Sequence, residues 1–148
     1  MTIPAFREDG WLPEGHHNAT WEEIIERFSG ALGSQRNNVM QQLISWRDAL
    51  RAKGISGRLI LNGSFISAKI APNDFDALFI WDVNAREIIE NDSEAKGLID
   101  YLACKQSGFD LLAFAEDVLA AYPNWVPLDA FDRDKLTGVY KGVLEVRL

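Results

Sequence analysis

Two aspartates with one apolar residue between them, Asp74 and Asp76, form the most reactive grouping in the chain. Side chains alternate between the faces of a strand, so carboxylates at i and i+2 point the same way and Phe75 and Ala77 point the opposite way. Like charges held side by side raise each other's pKa, and a divalent cation between them removes that cost. Mg²⁺ suits such a place, because it takes a few carboxylates together with water and phosphate oxygens. Upstream, beyond the nine residues Phe65 to Asn73, stand Gly63 and Ser64. Gly63 permits a tight turn, and Ser64 can open a short helix whose free N–H groups face an anion. A phosphate-binding turn and a paired-carboxylate metal site thus share one stretch. The plain alternative is a glycine turn ahead of a solvated Asp-x-Asp.

Two apolar runs must carry these residues. Leu59-Ile60-Leu61 predicts a short buried strand from about Arg58 to Leu61, and Ala77 to Trp81 continues a second strand from about Phe75. A third run, Phe109 to Phe114, is interrupted by Asp110. An acid inside such a run is costly unless it is paired, hydrogen-bonded or bound to metal. It is equally readable as a solvated strand start after a helix.

The pattern Asn62-Gly63-Ser64, Phe65 to Asn73, Asp74-Phe75-Asp76 resembles the signature of the nucleotidyltransferase fold of the DNA polymerase β type. The resemblance implies nucleotide binding at Gly63 and Ser64, and metal binding at Asp74, Asp76 and a third carboxylate on a later strand. Asp110 is in the sequence position for that third acid, and Glu145 on the last strand is the runner-up. For Glu145 a simple edge-strand charge is the alternative. Where many minimal members of the superfamily carry Arg-Gly, this chain has Ser67-Ala68-Lys69. Lys69 is then either a phosphate contact or a surface lysine.

Nearly the full length is also similar to a small uncharacterised bacterial nucleotidyltransferase-like family. The matching residues are Leu12-Pro13-Glu14-Gly15-His16, Ala19-Thr20-Trp21-Glu22-Glu23, Gly63-Ser64-Phe65, Lys69, Pro72-Asn73-Asp74-Phe75-Asp76, Asp132-Arg133 and Lys141-Gly142.

The other elements follow from caps and periodicity. Residues 1–18 read as an irregular arm punctuated by Pro4, Gly10, Pro13 and Gly15. The adjacent His16 and His17 would diverge on regular structure and lack a third ligand, so turn or surface roles are expected. Thr20 and Glu23 form a capping box for a short helix with Trp21, Ile24, Ile25 and Phe28 inward. That aromatic stripe reads as core. Ser34 caps a longer helix to about Lys53 with Val39, Leu43, Trp46 and Leu50 buried, and Gly54 follows it. Its Arg36, Arg47, Arg51 and Lys53 predict either a solvated basic face or a contact with an acidic partner or phosphate. Asn84 to Asp92 is polar and unassigned. One helix is expected from Ser93 to about Lys105, with Ala95, Leu98, Ile99 and Leu102 inward and Gly108 closing it. A short helix over 115–122 stops at Pro123, Pro127 to Gly138 is loop-like with Asp129, Asp132, Arg133 and Asp134, and Val139 to Leu148 is a final strand.

At 148 residues the chain is expected to be a single α/β (α+β) domain, a small mixed sheet with helices packed on one side. Met1 to Gly10 does not read as a secretory leader, and no apolar run reaches the length of a membrane span. The one cysteine, Cys104, excludes an internal disulfide and fits a reducing cytoplasm; it is read as an inert helix residue. A net charge of −7, from 15 basic and 22 acidic residues, argues against broad DNA binding. The expectation is a nucleotidyltransferase-like protein using Mg²⁺ or Mn²⁺ and a nucleoside triphosphate. Its acceptor would be a protein, an RNA end or a small molecule. The alternative is a catalytically inactive module with a protein partner, in regulation or in a two-component bacterial system of the toxin–antitoxin or defence type.

Overall fold

The computed structural model describes residues 3–121 and 140–148. Pro123, the loop from Pro127 to Gly138 with its Asp129, Asp132, Arg133 and Asp134, and Val139 lie outside the described residues.

Thr20 caps α1 (Trp21–Phe28) through the expected box: its hydroxyl accepts from the Glu23 N–H at 3.2 Å, and Glu23 accepts from the Thr20 N–H at 3.2 Å. Ser34 caps α2 (Gln35–Ala52), which buries Val39, Met40, Leu43, Trp46 and Leu50. Four strands then form the body of a mixed sheet: β2 (Gly57–Asn62), β3 (Asp76–Trp81), β4 (Asp110–Ala115) and β5 (Gly142–Arg147). A fifth, β1 (Gly15–Asn18), lies in the segment expected to be irregular and pairs in parallel with β5. Its sequence, Gly-His-His-Asn, has no apolar alternation; backbone bonds to the edge of β5 make it a strand. His16 is exposed and His17 half-buried, with the His17 Nε2 2.6 Å from the Pro13 carbonyl.

The sheet order is β1-β5-β2-β3-β4. β2 is antiparallel to both β3 and β5, whereas β3 and β4 are parallel. A parallel pair needs a crossover. Here it is helical: α3 (Arg86–Asn91), α4 (Ser93–Leu98) and α5 (Tyr101–Ser107). The single helix expected from Ser93 to Lys105 is therefore two, and the polar segment before it holds α3. The break comes at Ile99–Asp100, where Asp100 caps α5 by accepting from the Ala103 N–H at 2.9 Å. Restarting the helix changes its phase. Leu102 turns outward, 67% exposed, and Cys104 takes the inward place at 3%. Burial pushes the Cys104 thiol up to about 11, which agrees with an inert residue.

The main core lies between one sheet face and the helices; Leu59, Leu61, Ala77, Phe79, Leu111, Leu144 and Val146 meet Trp21, Ile24, Phe28, Leu43 and Trp46 there. The other face holds a smaller cluster of Ile60, Leu78, Ile80 and Val143, against which Phe114 and Leu119 pack. Leu119 belongs to α6 (Glu116–Ala121), so helices do not occupy one side only. Central strands that are apolar on both faces require cover on both. No helix among the described residues is long and apolar enough to cross a membrane.

Candidate functional site

β2 ends at Asn62, opposite Asp76, because Gly63 turns the chain away with a φ of +80°. A Cβ built on Gly63 would lie 3.3 Å from the Asp76 Cβ and 3.7 Å from its Oδ2, so the turn lies directly against that acid. Ser64–Ile66 makes one 3-10 turn. The Ser64 carbonyl accepts from the Ser67 N–H and, at 2.6 Å, from the Ser67 hydroxyl.

Arg36 holds this loop in place. Its guanidinium donates to the carbonyls of Phe65, Ser67 and Lys69, with the Ser67 bond at 3.1 Å. The residue is only 8% exposed, and burial pushes its pKa down. Arg36 lies in the first turn of α2, where the helix dipole disfavours a cation. That misplaced charge was the sequence signal for a specific partner. Two further cations of this segment are also engaged within the chain: Arg47 lies over Trp21 and pairs with Asp48, and Lys53, at the C-cap of α2, pairs with Asp92 and Glu94. Arg51 is exposed. Of the four basic residues expected to form a solvated face or to meet an acidic partner or phosphate, three are thus taken up by intramolecular contacts.

β3 begins at Asp76, one residue later than the strand expected from about Phe75, so of the two aspartates only Asp76 lies on it and Asp74 precedes it. With β2 ended at Asn62, no backbone on that side remains to pair with Asp74. The alternation nevertheless survives, with Asp74 and Asp76 half-exposed around a fully buried Phe75. Asp110 opens β4 directly opposite Asp76, and its N–H donates to the Phe75 carbonyl at 3.2 Å. Neighbouring strands lie about 4.8 Å apart, so the two acids are adjacent on one face.

Charges converge at this corner. Burial, and after it the negative charge of Asp110, pushes the Asp74 carboxyl above its usual range, while Lys105 and Lys69 act against the rise. The Lys105 ammonium lies 2.5 Å from the Asp110 carboxylate. Lys69 is exposed at the end of the loop. Lys105 went unnoticed in the sequence; it stands five residues before Asp110, and only the turn at Gly108, with a φ of +99°, brings it back over that acid.

Glu145 shares this sheet face but lies across β2 from β3, about 10 Å away. It accepts two bonds from Arg58, at 2.7 and 3.3 Å.

Three carboxylates at the starts of two neighbouring strands are a donor set of the type Mg²⁺ or Mn²⁺ takes. With the side chains as they stand, no group of three or more His, Cys, Asp or Glu among the described residues is placed to hold an ion. The backbone brings Asp76 and Asp110 together; joint ligation requires Asp110 to leave Lys105.

These features define an α+β domain with an acidic cluster where two parallel strands begin, beside a glycine turn clamped by a buried arginine. The chain belongs to the family described as a family of unknown function (DUF6932), whose model matches residues 4–147. No curated protein and no solved structure matches it.

Proposed function

We propose that the protein is a metal-dependent nucleotidyltransferase of the polymerase β type, transferring a nucleotide from a nucleoside triphosphate to an acceptor hydroxyl. The observation that carries this reading is the Asp76–Asp110 pairing across β3 and β4, with Gly63 packed against Asp76. It brings the acid-bearing strand starts and the phosphate-binding turn to one corner. Asp74, Asp76 and Asp110 would hold Mg²⁺ or Mn²⁺. A bound divalent cation lowers the pKa of an attacking hydroxyl and stabilises the charge on leaving pyrophosphate. Gly63 and Ser64 receive the phosphates, with the loop shape maintained by Arg36, and Lys69 adds positive charge at the loop's end. The acceptor is a protein, an RNA end or a small molecule.

The inactive-module reading gains from one feature, the Lys105–Asp110 pair, which engages a carboxylate that transfer requires. Calorimetry with Mg²⁺ and each of the four nucleoside triphosphates separates the two. Saturable, metal-dependent binding that is lost in Asp76→Asn supports the transferase. No binding of any triphosphate overturns it.

A further inference from the structure

We infer that Lys105 is a tethered counter-ion of the acidic corner, held on Asp110 until a divalent cation displaces it. The inference rests on the metal-dependent reading above.

The Lys105 ammonium lies 2.5 Å from the Asp110 carboxylate, a direct charge-assisted contact. The same cation also acts on Asp74, where it opposes the combined effect of burial and the Asp110 charge. The lysine thus offsets the charge of Asp110, part of the electrostatic task that a metal would perform. The groups acting on Lys105 are Asp110, Tyr101 and Asp74.

The tether has a fixed base. Cys104, before Lys105, is 3% exposed in the core, and Phe109, before Asp110, is 6% exposed. The left-handed turn at Gly108 joins the two, and the Gln42 side chain donates to the Ser107 carbonyl at 2.6 Å. The ammonium is therefore returned to the same carboxylate, not offered by a freely moving segment. The contact itself is open to water, with the lysine side chain 56% exposed and the aspartate 32%. Exposed ion pairs of this kind are weak and readily exchanged. A divalent ion between two or three carboxylates would displace a single ammonium, while in the metal-free corner the lysine offsets the charge of Asp110.

The test is a Mn²⁺ titration, followed by the paramagnetic resonance of the free ion, on the wild type, Lys105→Met and Lys105→Arg. Removing the competitor should tighten Mn²⁺ binding about two- to fivefold. Lys105→Arg, which keeps the charge, should stay within about twofold of the wild type. In metal-free buffer Lys105→Met should melt lower than the wild type, and Mn²⁺ should raise its melting temperature by more. Wild-type binding with equal or weaker binding by Lys105→Met overturns the tether and leaves the metal-dependent reading standing. No Mn²⁺ binding by either protein, with or without triphosphate, overturns that reading and the tether with it.

Discussion

Phe75 stacks on Phe109, with ring centroids 4.5 Å apart and planes 20° from parallel. Each ring directly precedes an acid, Asp76 and Asp110, and those acids are partners across β3 and β4. Neighbouring residues on extended chain point to opposite faces. An apolar contact on the core side therefore sets the spacing of two carboxylates on the other side. Phe109→Ala should cost about 3–5 kcal/mol, as for other buried aromatic truncations. Urea denaturation measures the loss. Below the transition the variant should also bind Mn²⁺ more weakly, because the Asp110 strand start is no longer pinned; unchanged affinity would separate the stack from the acid spacing.

Asp74 makes stability depend on pH in an unusual direction. Its carboxyl is held above the usual range by burial and by Asp110. A carboxyl with a raised folded pKa costs the fold nothing below its unfolded value of 3.8. The cost grows as pH climbs from there through the folded value, then levels off. Asp74→Asn removes it. In metal-free buffer the variant should match the wild type at the acid end and become the more stable protein as pH rises above about 4. Melting curves across that range check this. A variant that melts well below the wild type at neutral pH would give Asp74 a structural role. Mg²⁺-dependent triphosphate binding should be lost in both Asp74→Asn and Asp76→Asn.

Arg36 should be indispensable to the loop and indifferent to the metal. Arg36→Met leaves three carbonyls without their charged donor, at a cost of roughly 1.5–3 kcal/mol or more. Arg36→Lys supplies a point charge in place of a fork and should recover only part of the loss. Triphosphate affinity should fall further than Mn²⁺ affinity in both variants, as measured by parallel titrations. Equal falls would mean that the Gly63–Ser64 turn does not meet the phosphates.

Asp110 and Glu145 should separate cleanly. Glu145 is bound to Arg58 two strands from β3, whereas Asp110 is the partner of Asp76. Asp110→Asn should weaken Mn²⁺ binding at least about tenfold, the loss expected where one ligand of a charged set is removed. Glu145→Gln should leave Mn²⁺ affinity unchanged. The reverse result would move the third ligand to β5.

What could be read from the sequence was whatever local chemistry specifies. The Thr20–Glu23 box and the Ser34 cap each place a helix start, since capping acts within four residues. The apolar spacing of Val39, Leu43, Trp46 and Leu50 repeats the helical period, and all four are buried. Alternation alone set Asp74 and Asp76 apart from Phe75. The cost of an acid in an apolar run singled out Asp110, but did not say what would pair with it. Tertiary structure decided every relationship that spans the chain. The register that sets Asp110 against Asp76 depends on where β2 ends and where the helical crossover returns. The Arg36 clamp reaches from a helix start to carbonyls some thirty residues on, and its direction follows from a core that closes around the guanidinium. β1 exists only because β5 offers it an edge. The break at Asp100, which turns Leu102 outward where it was expected inward, accompanies packing in which the Trp46 indole donates to the Leu98 carbonyl at 2.8 Å. Short-range patterns carry caps and periods; register and the partners of isolated charges are properties of the assembled sheet.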